Sequence, residues 1–69
     1  MIDNYLADIE RIRNDGGVLI IKWDGERAEL RQTVVLTRPG TAYLWRKDCD
    51  DVSLALQDAI KHYKSTFLD

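Results

Sequence analysis

The sequence predicts a small α+β protein, a two-layer sandwich in which both helices cover one face of a three-stranded antiparallel sheet. Residues 18–47 read as three strand-like segments separated by turn signals, and an apolar helical pattern flanks them on each side. The 69 residues are enough for one hydrophobic core only. We therefore expect the order α-β-β-β-α within a single domain, residues 1–69.

The first helix is predicted over residues 3–14. Asp3 or Asn4 can cap its start, and Gly16-Gly17 ends the helical pattern. The apolar residues recur at intervals of three and four, as expected for one helix face, and are Ile2, Tyr5, Leu6, Ile9 and Ile12.

Two turn signals predict the register of the central meander. Asp24-Gly25 is typical of a two-residue hairpin, which places Leu19 opposite Leu30 and Lys22 opposite Arg27. Pro39-Gly40 suits a type II turn, which places Leu36 opposite Tyr43. Because side chains alternate along a strand, these turns assign each residue to a face. The face predicted to pack beneath the helices holds Leu19, Ile21, Trp23, Ala28, Leu30, Val34, Leu36, Tyr43 and Trp45.

The second helix is predicted from about Cys49 to Thr66. Asp48 followed by Asp51 has the form of a capping box, with Asp48 as the N-cap. The apolar stripe that follows consists of Val52, Leu56, Ala59, Ile60, Tyr63 and Phe67.

Charge is distributed unevenly along the chain. The net charge is −2, yet residues 18–47 hold six basic and three acidic residues, and the flanking segments are acidic. The sheet face opposite the helices combines basic with aliphatic side chains, and a like-charge pair such as Lys22–Arg27 usually costs stability. We interpret this open face as a partner-binding surface formed by Lys22, Arg27, Arg31, Arg46, Ile20, Val35 and Leu44.

The first strand suggests a second contact. Its sequence is apolar and β-prone, and in a meander it lies at an edge with unpaired backbone groups. Such an edge invites pairing with another chain, and small domains often gain stability by dimerising. The predicted dimer edge consists of Val18, Leu19, Ile20 and Ile21.

Three groups of residues suggest chemistry, and each has a plainer interpretation. Asp58, His62 and Ser65 follow one another along a helix, whereas triad members normally converge from different segments, so an Asp58–His62 surface pair is favoured. Trp23, Tyr43 and Trp45 resemble a nucleic-acid stacking platform, but the register turns them toward the core.

The third group is acidic. Asp48, Asp50 and Asp51 lack the ligand spacing of a calcium loop, so helix capping is favoured, although this run can also contact a basic partner. Their charge disfavours the thiolate of Cys49. We expect no metal, no cofactor and no enzymatic activity, and a cytoplasmic location, since no signal or membrane-spanning segment is evident.

In size and α-β-β-β-α order the chain resembles several small inhibitor proteins that phages or mobile elements use, including some anti-CRISPR proteins. The resemblance covers architecture and no motif, so it transfers no residues. It implies a protein-binding module that occupies a partner surface, using either acidic helices that imitate nucleic acid or the basic sheet face. The alternative is a nucleic-acid-binding protein that uses the basic face, against which a pI of 5.2 counts.

Overall fold

The computed structural model describes residues 5–26 and 28–68 and confirms the predicted class and element order. The strands form an antiparallel meander in the order β1-β2-β3. The elements are helix α1 (Leu6–Asn14), strands β1 (Val18–Trp23), β2 (Gln32–Thr37) and β3 (Leu44–Cys49), and helix α2 (Val52–Tyr63), which continues as a π-helical segment (Lys64–Leu68).

Both helices pack on the same face of the sheet, α1 against β1 and α2 against β2 and β3. The buried core combines one residue of α1, two residues of β2, the last residue of β3 and one side of α2. It consists of Ile12, Val34, Leu36, Cys49, Ala55, Leu56, Ala59, Ile60 and Tyr63. Burial of these apolar groups is the main force that holds the layers together.

The predicted two-residue hairpin at Asp24-Gly25 is wrong. Residues 24–26 and 28–31 lie in an irregular connection, in which the Glu26 N–H donates to Asp24 Oδ1 at 3.0 Å. Gly25 lacks the positive φ that the predicted turn requires, and Leu30 instead has a φ of 51°. Ala28 and Leu30, predicted to lie on the core face, are exposed in this connection.

The registers differ from the predicted ones by even numbers of residues. Leu19 pairs with Leu36 rather than Leu30, and Leu36 pairs with Trp45 rather than Tyr43. An even displacement leaves every side chain on its original side of the sheet. The strand residues therefore keep their predicted faces although their partners change.

The predicted Pro39-Gly40 turn is confirmed. The Thr41 N–H donates to the Arg38 carbonyl at 3.1 Å, and Gly40 has the positive φ of 87° that a type II turn needs. β3 begins only at Leu44, so the connection is longer than the turn itself.

The start of α2 differs from the prediction. Asp51, not Asp48, caps α2, because its Oδ1 accepts the N–H groups of Ser53 at 3.0 Å and Leu54 at 3.2 Å. Asp48 and Cys49 instead complete β3, where Cys49 pairs with Gln32. For α1, the predicted caps Asp3 and Asn4, together with Ile2, lie outside the described residues.

The three aromatic residues predicted to lie on the core face of the sheet differ in their burial. Trp45 and Tyr43 pack against the core as predicted, and the Tyr43 ring lies 5.0 Å from that of Phe67. The prediction for Trp23 is wrong, since this side chain is 58% exposed. Trp23 ends β1 opposite Gln32, beyond the part of β1 that contributes to the core.

Candidate protein interface on the open sheet face

The face of the sheet opposite the helices is arranged in three rows across the strands. The register places Val18, Thr37 and Leu44 in one row, Ile20, Val35 and Arg46 in the next, and Lys22, Thr33 and Asp48 in the third. Antiparallel neighbours lie about 5 Å apart, so each row is a line of adjacent side chains. The first two rows are mainly aliphatic and the third is polar.

The aliphatic rows leave large apolar side chains in water. Leu44 is 66% exposed, Ile20 is 51% exposed and Val18 is 41% exposed, and Val35 lies between Ile20 and Arg46. Soluble monomers seldom expose large contiguous apolar patches, and such patches commonly mark contacts with other proteins. We name these four residues, Val18, Ile20, Val35 and Leu44, the aliphatic patch.

The polar row is less basic than predicted. The Thr33 hydroxyl donates to Asp48 Oδ1 at 2.7 Å, and Arg46 Nη2 lies 3.4 Å from the same oxygen. Asp48, predicted as a helix cap, therefore places a carboxylate on the open face. This carboxylate offsets part of the charge of Arg46.

The other predicted basic residues are placed differently. Lys22 pairs across the strands with Thr33. Arg27, its predicted partner, lies outside the described residues. Arg31 lies in the connection before β2, where its N–H donates to Asp50 Oδ1 at 3.4 Å. The charged end of the face therefore mixes both signs.

Asp58 and His62, two of the helix residues considered for catalysis, bond to strand β3 and the segment before it rather than to each other. Asp58 Oδ2 accepts a hydrogen bond from Lys47 Nζ at 3.0 Å. The Tyr43 hydroxyl and His62 Nδ1 are hydrogen-bonded at 2.7 Å. The predicted Asp58–His62 pair is therefore wrong, and Ser65 lies in the π-helical segment beside a surface depression of about 420 Å³.

The three aspartates of the acidic run, Asp48, Asp50 and Asp51, each make a different contact. Asp51 caps α2, Asp48 bonds Thr33, and Asp50 accepts from the Arg31 backbone. Burial, followed by the negative charge of Asp50, raises the pKa of the Cys49 thiol, which confirms that the thiolate is disfavoured. Within residues 5–26 and 28–68, no group of three His, Cys, Asp or Glu side chains could hold a metal ion.

One polar network in the structure was not predicted from the sequence. The fully buried Tyr63 donates its hydroxyl to Asp15 Oδ2 at 2.7 Å, and Arg38 Nε donates to the same oxygen at 3.1 Å. The Arg38 guanidinium also lies 4.7 Å from the centre of the Phe67 ring. Burial and the bond to Asp15 raise the pKa of the Tyr63 phenol.

This network joins the end of α1, the end of β2 and the end of α2. It ties both helices to the turn after β2, on the side of the sheet opposite the aliphatic patch. Its members are far apart in the chain, and no local sequence signal links them. Only an acidic residue after a helix and an arginine before Pro39 are visible in the sequence.

Comparison with known proteins identified no relative of this chain. No family model, no curated protein and no solved structure matches the chain. Among the described residues, none of the helices is both long enough and apolar enough to cross a membrane.

Proposed function

We propose that the protein is a non-enzymatic binding module that acts by occupying the surface of a partner protein, with the aliphatic patch at the centre of the contact. The observation that carries the proposal is the exposure of Val18, Ile20 and Leu44 on the sheet face that the helices leave uncovered. Their burial against a partner removes apolar surface from water, which is the main favourable term in protein association.

The surroundings of the patch define the chemistry of the partner. Arg46 lies within the second row and Lys22 borders it, while Thr37 separates Val18 from Leu44. A fitting surface presents apolar side chains at its centre and carboxylates where Lys22 and Arg46 lie. Rim charges of this kind orient the partners and accelerate association more than they add affinity.

Nucleic-acid binding through the basic residues is supported less well. Asp48 shares the face with Lys22 and Arg46, and Arg31 donates its N–H to the carboxylate of Asp50. A phosphate backbone would approach those carboxylates as well as the cations, and phosphate contacts supply most of the affinity for nucleic acid.

We also propose that the protein acts in the cytoplasm, as an inhibitor of the kind that phages and mobile elements use. In addition, we propose that two copies form a homodimer through the β1 edge, residues 18–21. The dimer contact uses the backbone edge of residues 18–21, whereas partner capture uses side chains of the open face, two of which, Val18 and Ile20, belong to the same strand.

Capture from a native lysate tests the open face. Wild type is compared with Leu44→Glu, which places a carboxylate in the patch, and with Leu54→Glu, a matched change at an exposed leucine of α2. We expect wild type and Leu54→Glu to retain the same protein and Leu44→Glu to lose it by about tenfold or more. Circular dichroism of both variants tests whether they fold like wild type.

Two results would overturn the proposal. Equal retention of the captured protein by Leu44→Glu would exclude the aliphatic patch as the contact. Co-purification of nucleic acid, lost steeply with added salt, would instead support the nucleic-acid alternative, because displaced counterions make phosphate contacts salt-sensitive.

A further inference from the structure

The free edge of β1 has a defined hydrogen-bonding polarity. The Asp24 N–H donates to the Arg31 carbonyl at 2.7 Å, one pair beyond Trp23 and Gln32 in the β1–β2 register. In an antiparallel ladder the N–H and C=O of one residue point the same way, and the direction alternates along the strand. The even-numbered residues of β1 therefore bond to β2. The residues that direct N–H and C=O toward the free edge are Leu19, Ile21 and Trp23.

We infer that a second copy of the chain pairs with β1 in an antiparallel register centred on Ile21. This inference rests on the homodimer in the proposed function and specifies its geometry. Ile21 then pairs with Ile21 of the partner subunit, and Leu19 pairs with Trp23 of the partner subunit. Every outward N–H and C=O of the three residues gains a partner, whereas a register shifted by two leaves an end residue unpaired within β1.

A groove beside Leu19 accommodates the indole that this register brings to it. The groove has a volume of about 220 Å³, and the described residues that line it belong to α1, the turn after it and β1, namely Ile9, Ile12, Arg13, Gly17 and Leu19. The partner's Trp23 lies on the helix side of the sheet, opposite Leu19, at the mouth of this groove. Arg13 can stack on the indole face. Trp23 is exposed in one copy, and the second copy provides its apolar site.

The same register avoids a like-charge contact between the two copies and is compatible with a twofold axis. Lys22 lies opposite Ile20 of the partner subunit rather than opposite a second lysine. Because residues that bond across the edge are all odd-numbered, both copies keep their helices on one side and their aliphatic patches on the other. Exposed Leu6, seven residues before Arg13, lies on the same flank of α1 and faces the second copy.

The contact is large enough for a reversible dimer. Two buried tryptophan side chains contribute on the order of 400 Å². Paired strand edges and the flanks of α1 add to this, which brings the total toward the low end of the ~1,200–2,000 Å² typical of specific interfaces. We therefore expect a dimer that dissociates on dilution into the low micromolar range.

Sedimentation velocity over a range of concentrations tests the inference, using Trp23→Ser and the matched control Leu54→Ser. We expect wild type and Leu54→Ser to dimerise and Trp23→Ser to weaken the dimer by about tenfold or more while keeping the wild-type circular dichroism. In a Trp45→Phe background, the emission of Trp23 should shift to shorter wavelength as the dimer forms, because the indole leaves water.

Amide hydrogen exchange tests the register through the protection of individual β1 amides. In the dimer, the amides of Leu19, Ile21 and Trp23 should gain protection, whereas those of Ile20 and Lys22 are protected in either state. Dimerisation that survives in Trp23→Ser would overturn the groove and register while leaving the homodimer itself intact. A wild-type monomer at about 100 μM, with the odd-numbered amides exchanging freely, would overturn the homodimer as well. Neither result affects capture through the aliphatic patch.

Discussion

Replacing Tyr63 by phenylalanine removes one hydroxyl from the network that joins the helices to the sheet. The hydroxyl donates to Asp15 Oδ2 at 2.7 Å from a fully buried ring. A hydrogen bond to a charged group contributes about 1.5–3 kcal/mol. Asp15 is partly exposed and keeps its bond from Arg38 at 3.1 Å, which places the loss at the lower end, about 1.5 kcal/mol.

For a domain of this size, that loss lowers Tm by roughly 6–12 °C. Urea unfolding followed by circular dichroism measures it, and the m-value should not change because the same surface is exposed on unfolding. Tyr43→Phe is the matched control, since its hydroxyl bonds the exposed His62 and should contribute less than about 0.5 kcal/mol. Equal stability of the two variants would refute the structural role of the network.

The same network predicts a dependence on alkaline pH. Burial first, and then the bond to Asp15, raises the pKa of the Tyr63 phenol above its ordinary value of 10.0. The unfolded chain therefore loses this proton at lower pH than the folded chain. The stabilisation is complete below about pH 10 and declines as pH rises further. The stability difference between wild type and Tyr63→Phe should stay constant from pH 7 to about pH 9 and shrink toward pH 11. A difference that grows over this range would contradict the assignment.

Two further substitutions test the packing, with opposite expected signs, and urea unfolding measures both. Gly17→Ala places a Cβ against the buried Ile12 side chain and 3.1 Å from the Tyr63 hydroxyl. It should therefore lower the free energy of unfolding by about 1–3 kcal/mol. An unchanged free energy of unfolding would show that this turn can relax. Gln32→Met removes a buried Oε1 that has no hydrogen-bond partner among the described residues, so it should stabilise the fold by about 1 kcal/mol; a loss of stability would reveal an unrecognised partner.

The faces of the sheet were predictable although the strand pairings were not. Face assignment depends only on whether a register error is odd or even, and both errors were even. Leu36 was therefore correctly expected in the core, although its partner in β3 is Trp45 rather than Tyr43. The Asp24-Gly25 signal failed because residues 28–30 do not pair as a strand, so the connection is longer than the local pattern indicates.

The site was predictable in its aliphatic part and not in its charged part. Ile20, Val35 and Leu44 follow from alternation along the strands. The position of Asp48 depends on how far β3 extends, and an aspartate before a helical pattern is equally typical of a cap. The exposure of Trp23 depends on where the helices end over the sheet, which is a property of tertiary packing.

The network around Tyr63 was beyond sequence reasoning for a different reason. Tyr63 and Asp15 are separated by 48 residues, and Arg38 and Asp15 by 23. Tyr63 was correctly placed on the apolar stripe of α2, but the stripe does not indicate which carboxylate its hydroxyl meets. Such a pairing follows only when two helices and a turn are brought together.

Binding through the open face is tested most directly by oxidative footprinting of the side chains, with and without the captured partner. Ile20 and Leu44, the two most exposed residues of the patch, should become less reactive in the complex, while Leu54 on α2 should react equally in both states. Unchanged reactivity of Ile20 and Leu44, with protection confined to Leu54, would place the contact on the helices and contradict the proposed function.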